Sequence, residues 1–197
     1  MIQAWFLLGR WIACAGRTGQ SCKRQPMADK INPIRPTTSE AIALARSLIA
    51  NASFGALGVL DLATSAPHVT RVAVGTDGAG VPVILVSQLS HHTQCLLKDP
   101  RCSLLLGEPG RGDPLAHPRI TLACEASAIA SDDPGLDLIS SRFLAAHPKA
   151  KLYITFSDFS FFRLSICSAA LNGGFGRAFI LGHADITDSA HRHVSKD

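Results

Sequence analysis

The sequence predicts an α+β domain built on an antiparallel barrel, and three observations point there. Six or seven short apolar segments between Phe54 and Leu181 read as strands. Two of them, spanning 69–87, flank Asp77-Gly78-Ala79-Gly80, a tight reversal that makes them an antiparallel hairpin. The intervening helical segments come at irregular intervals, without the βαβ alternation that marks a parallel sheet.

Taken in order, Thr37-Thr38-Ser39-Glu40 fits a capping box, with Thr37 as N-cap and Glu40 three residues on. Ile42, Ala45, Leu48 and Ile49 recur at helical spacing, so a helix is expected over 38–51. Phe54–Asp61 is a short apolar run, and a polar turn containing Pro67 follows. Val69–Gly75 is β-branched and alternates, and Val81–Ser87 is its hairpin partner. Ser90 can cap a short helix that ends at Asp99-Pro100. Arg101–Gly107 and Arg119–Ile129 read as strands separated by a Gly/Pro-rich loop. Asp133-Pro134 opens a helix with Leu136, Ile139, Phe143 and Leu144 on one face. Phe162–Ala170 and Phe175–Leu181 are the last strands.

Charge divides the chain at Met27. Residues 1–26 carry four of the 19 Lys+Arg and none of the 15 Asp+Glu, so the remainder is neutral and the net +4 belongs to the extension. A nucleic-acid-binding domain needs a basic face, so no nucleic-acid partner is expected. The extension reads either as a signal peptide, with Ala13-Cys14-Ala15 as cleavage site, or as a start-site artefact or disordered tail. Arg10 interrupts the apolar run and no positive charge precedes it, which favours the second reading. The domain is then 27–197, and the protein is expected in the cytoplasm. No apolar run reaches the roughly eighteen residues needed to span a bilayer, so no membrane association is expected. The six cysteines form no C-x-x-C pair, and Asp132-Asp133 lacks a His or Cys at ligand spacing, so no metal site is expected.

The segment from Arg71 to Arg101 is the candidate site. Arg71 lies on one hairpin strand and Ser87 ends the other, while Ser90, His91, His92 and Thr93 open a helix. A helix N-terminus offers unpaired N–H groups and a positive dipole end, which suits a phosphate. The plainer alternative makes Arg71 a solvated strand residue and Ser90 only a cap. Thr155–Phe162 could stack on a flavin, although packed core explains its phenylalanines better.

The stretch RVAVGTDGAGVPVILVSQLSHHTQCLLKDPRCSLLL (71–106) resembles the core of the pyridoxamine-phosphate-oxidase-like, FMN-binding split-barrel family. GDPLAHPRITL (112–122) and NGGFGRAFIL (172–181) resemble its haem-utilisation branch more closely still. The resemblance implies a six-stranded split barrel with flanking helices, a homodimer, and FMN at the dimer interface. Carried over, Arg71 and Ser87 would touch the phosphate, with His91, His92 and Thr93 beside it. Backbone groups of Val72, Ala73 and Val74 would face the flavin ring, and Arg177 would lie near the cofactor or the dimer seam. Pyridoxamine-phosphate oxidases usually carry Arg-Lys where His91-His92 stand, so phosphate affinity here should weaken as pH rises. They also end in a Trp- and Arg-containing segment, and this chain has no tryptophan after Trp11, so vitamin B6 oxidation is not expected.

Three functions follow as expectations. The first is an FMN-dependent oxidoreductase acting on a small-molecule substrate, with no visible acid or base. The second is a haem-binding or haem-degrading protein on the same barrel, for which His183, His191 and His193 are candidate ligands, His183 foremost. The third is a non-enzymatic flavin-binding module.

Overall fold

The computed structural model describes residues 34–187. The 1–26 extension, the boundary at Met27, Cys14, Cys22, His191 and His193 lie outside the described residues. The elements run α1 (Ser39–Ala50), β1 (Phe54–Leu60), β2 (Pro67–Thr76), β3 (Pro82–Ser87), α2 (His91–Lys98), β4 (Arg101–Leu106), β5 (Arg119–Ala128), α3 (Leu136–Ala146), β6 (Phe159–Asn172), β7 (Ala178–Gly182) and α4 (His183–Thr187). Short 3-10 turns occupy Pro114–Ala116 and Pro148–Leu152.

The sheet order is β3-β2-β1-β4-β5-β6, and β6 returns to β3, closing a six-stranded antiparallel barrel. The closing seam runs from Val83↔Arg163 to Ser87↔Phe159. Strand β7 adds to β6 outside the closed ring. The long β6 can serve three neighbours because a bulge opposite Ala123 and Cys124 bends it. The expected barrel is therefore present, with one additional strand.

Alternation sets the interior. Cys102, Leu104 and Leu106 of β4 and Ile120, Leu122 and Cys124 of β5 point inward and are buried. Strand β3 is buried on both faces, which explains its unbroken Pro-Val-Ile-Leu-Val run. Ile84 and Val86 face the barrel core, whereas Val83 and Leu85 join Ile139, Phe143 and Phe161 in a second core beneath α3. At the seam, Arg163 Nε donates to Asp77 Oδ2 at 3.0 Å, and its Nη1 lies 3.8 Å from Asp133. Asp77 also holds the β2–β3 turn, accepting from the Ala79 and Val81 N–H groups at 2.9 Å. Gly80 completes that turn at φ 82°.

Strands β2 and β6 run longer than expected, over Pro67–Thr76 and Phe159–Asn172, and three other boundaries shift for identifiable reasons. Thr38, not Thr37, is the N-cap of α1, accepting from the Ala41 N–H at 3.2 Å. The Thr37 hydroxyl donates instead to the Ile180 carbonyl, so a tertiary contact displaces the local cap. Helix α3 starts at Leu136 because the Asp133 carboxylate accepts from Gly135 N–H, spending itself on a preceding turn. Strand β7 begins at Ala178, since Gly174 and Gly176 take φ values of 102° and 68° and hold the Gly-Gly-Phe-Gly segment in a loop. Among the described residues no helix is long and apolar enough to cross a membrane.

Candidate functional site

The β2–β3 hairpin and the start of α2 bring six of the expected residues to one cleft of about 210 Å³. Arg71, Val72, Ala73, Ser87, Ser90 and His92 line it, with Tyr153 and Phe159 opposite. The Arg71 guanidinium lies 5.2 Å from the centre of the Phe54 ring, a cation–π contact, and has no carboxylate partner among the described residues. A second cleft of about 370 Å³, lined by Phe54, Ala56, Leu105 and Pro109 among others, opens on the other side of Arg71.

The polar groups of the Arg71 cleft are partly committed. Ser87 Oγ donates to Asp158 Oδ2 at 2.6 Å and accepts from the Leu89 N–H at 3.1 Å. A carboxylate thus stands beside the serine expected to meet a phosphate. Ser90 is the N-cap of α2 by position, but its hydroxyl makes no capping bond; only its carbonyl accepts, from the Thr93 and Gln94 N–H groups. His92 Nε2 and Thr93 Oγ1 are buried without a partner, and Thr93 is wholly buried. Such orphaned atoms are rare in folded proteins and call for a ligand or water. Burial, and then the neighbouring His68 and His91, hold the His92 imidazole below its ordinary pKa.

The other expected residues lie elsewhere. Val74 faces the core, and its carbonyl accepts from His147 Nε2 at 2.8 Å. His91, about 100° further round the helix than Ser90 and before His92, turns to Asp61, Nε2 to Oδ2 at 2.8 Å. His68 meets it edge-on at 5.0 Å. Asp61 accepts from the Thr64 hydroxyl and the Thr64 N–H as well as bonding His91, and its pKa falls to about 2. Arg177 ends the glycine loop, its carbonyl accepting from Gly173 N–H at 2.7 Å, and does not reach the Arg71 cleft within the chain. Asp158, Tyr153 and Phe54 had no signal in the sequence, because each reaches the site only through strand pairing or loop packing.

His183 opens α4. Its Nδ1 donates to the Ile166 carbonyl at 2.7 Å, which puts the proton on Nδ1 and leaves a lone pair on Nε2. The ring is exposed. That is the arrangement in which metal-ligating histidines are held, with the distal nitrogen fixed by a carbonyl. Among the described residues no three His, Cys, Asp or Glu converge as a metal site. Cys102 and Cys124 are cross-strand neighbours with no reactive character, since burial pushes the Cys102 thiol up to about 12 and Cys124 higher.

Comparison with known proteins adds to this geometry. The family model described as CREG, beta-barrel matches residues 36–189. The non-canonical heme oxygenase HOZ of Arabidopsis thaliana chloroplasts is 30% identical over 131 residues, which are 66% of this chain and 39% of that protein. A solved heme binding protein from Mycobacterium smegmatis is 32% identical with a TM-score of 0.69, covering 78% of this chain and 61% of its own. A protein of unknown function from Agrobacterium tumefaciens is 31% identical with a TM-score of 0.68, covering 78% and 63%. The chain thus spans about two fifths of the curated relative it matches and about three fifths of these two solved chains.

Proposed function

The chain belongs to the CREG β-barrel family, and on that footing we propose that it binds haem, with haem breakdown as its finer activity. The observation that carries the reading is that two relatives at 30% identity or above are named for haem. The FMN expectation rests on the fold alone, so the haem alternative becomes the leading reading.

Two of the residues present have chemistry that suits the group. His183, its Nε2 lone pair free and its ring oriented by the Ile166 carbonyl, would hold the haem iron. Arg71, lacking a carboxylate partner, is a separate candidate for a propionate, in a cleft lined by Phe54, Leu105 and Glu108 and not by His183. Haem, when bound, supplies an iron centre at which oxygen can be activated. This chain's part would be to hold it and orient it.

Parallel absorption titrations of the full chain with haemin and with FMN test the reading. A saturating Soret band at one haem per chain, with FMN left unbound, supports it; tight FMN binding without a Soret change refutes it. Loss of that band under ascorbate and air tests breakdown. The homodimer belongs to the same proposal, and sedimentation of the full chain tests it.

A second reading keeps FMN in the Arg71 cleft. It is favoured by the orphaned His92 Nε2 among the six gathered residues, with the buried, orphaned Thr93 Oγ1 next to it in α2, and opposed by the Asp158 carboxylate on Ser87. Under it, Asp158→Asn raises FMN affinity; under the haem reading it leaves haemin affinity unchanged.

A further inference from the structure

A further polar concavity lies between α3, the end of β3 and the start of β6. It has a volume of about 350 Å³, at the lower end of the range for small-molecule sites. Leu85, Ile129 and Phe161 line it as apolar surface. Gln88, Ser131, Asp137, Ser140, Ser157 and Ser160 supply its polar groups. These six side chains come from four stretches of chain, none bonds another described residue, and Gln88, Ser131, Asp137 and Ser157 are exposed. The neighbouring Ser141, by contrast, spends its hydroxyl on the Leu138 carbonyl.

The lining also has a sign. Asp137 is its one charged residue, and no Lys, Arg or His lines it. The N-terminus of α3 would by itself favour an anion, but Asp137 sits in that first turn and answers the dipole with a full negative charge. An apolar floor, a ring of hydroxyls and one carboxylate suit a compact molecule with an apolar body and a cationic, hydrogen-bonding head. Leu85 and Phe159 line this cleft and the Arg71 cleft alike, so the two adjoin. We propose that the Asp137 cleft is a binding site for a small primary amine with an apolar body, next to the candidate cofactor site. The inference is independent of whether that cofactor is haem or FMN.

The test is a nuclear magnetic resonance titration of the full chain with tyramine, beside 3-(4-hydroxyphenyl)propionate, its counterpart of opposite charge. The expected result is saturable tyramine binding with Kd on the order of 1 mM, and no saturable binding of the acid. Asp137→Asn, an exposed change that spares the core, should weaken tyramine about five-fold, roughly the worth of one partly exposed ion pair. Ser140→Leu, which fills the cleft, should abolish binding; should that variant melt early, Ser131→Leu replaces it. Haemin affinity should stay unchanged in Asp137→Asn, which separates this site from the cofactor. No saturable tyramine binding, equal binding of the acid, or indifference to Asp137→Asn overturns the proposal.

Discussion

The seam of the barrel and the flank beside α2 both hold an arginine, and they use it differently. At the seam, Arg163 meets Asp77 at 3.0 Å and Asp133 at 3.8 Å, and Asp77 in turn holds the hairpin turn. On the flank, Arg71 rests on the Phe54 ring with no carboxylate partner, near an unpartnered His92 Nε2 and Thr93 Oγ1. One region has satisfied its polar groups internally; the other leaves them for something else. Stability belongs to the first and recognition to the second, which is where sequences depart from local consistency.

The sharpest way to break that division is through the seam's apolar support. Phe143→Ala removes a fully buried ring packed on Phe161 and should cost about 3–5 kcal/mol in denaturant unfolding. Haemin binding at low temperature should survive it. Arg163→Ala leaves a nearly buried Asp77 without its partner and should cost roughly 1–3 kcal/mol, again with ligand affinity intact. If either change abolished binding while the fold persisted, the two regions would not be separable.

On the flank the signs reverse. Thr93→Val replaces a wholly buried, unpartnered hydroxyl by a methyl group, so chemical unfolding should show stability unchanged or raised by about 1 kcal/mol or less. A ligand that bonds this hydroxyl would bind more weakly to the same variant. A clear loss of stability would mean that Thr93 has a structural partner after all.

The smallest effect is one of pH. Burial lowers the His92 pKa, so the unfolded chain takes up a proton more readily than the folded one. Its contribution to stability is full at neutral pH and lost as pH falls below about 6.5 toward the folded value. The melting temperature should therefore decline over that window, less steeply in His92→Gln. It also moves any titration of phosphate affinity by His92 to more acidic pH than the sequence implied, since this imidazole is neutral sooner.

How much was legible follows the same line. The strands were readable because alternation is local: in Arg119-Ile120-Thr121-Leu122 apolar and polar residues take turns, and the apolar ones face in. The closing seam was not, because Ser87 and Phe159 pair across nearly half the described residues and nothing near either names the other. The cap of α1 slipped by one residue because Thr37 found Ile180. Arg71, Ser87, Ser90 and His92 line one cleft, and their nearness was readable because the hairpin and helix α2 are local devices. His91 and His92 were read as a pair, but adjacent helical residues diverge, and Asp61 draws His91 away. Asp158 was invisible until β6 paired with β3. Haem ranked below FMN in the sequence because phosphate sites have local patterns, whereas an axial ligand is one histidine. What distinguishes His183 is a hydrogen bond to Ile166, seventeen residues back on another element.

The measurement that tests the central claim most directly is the haemin affinity of the full chain beside that of His183→Ala and His183→Gln. Ligation through Nε2 predicts a loss of at least about ten-fold in both variants, with a shifted Soret band and an unchanged melting temperature before haemin is added. Equal affinity and an identical spectrum in all three proteins would contradict His183 as ligand. Absence of any Soret change in the unaltered chain would contradict haem binding itself.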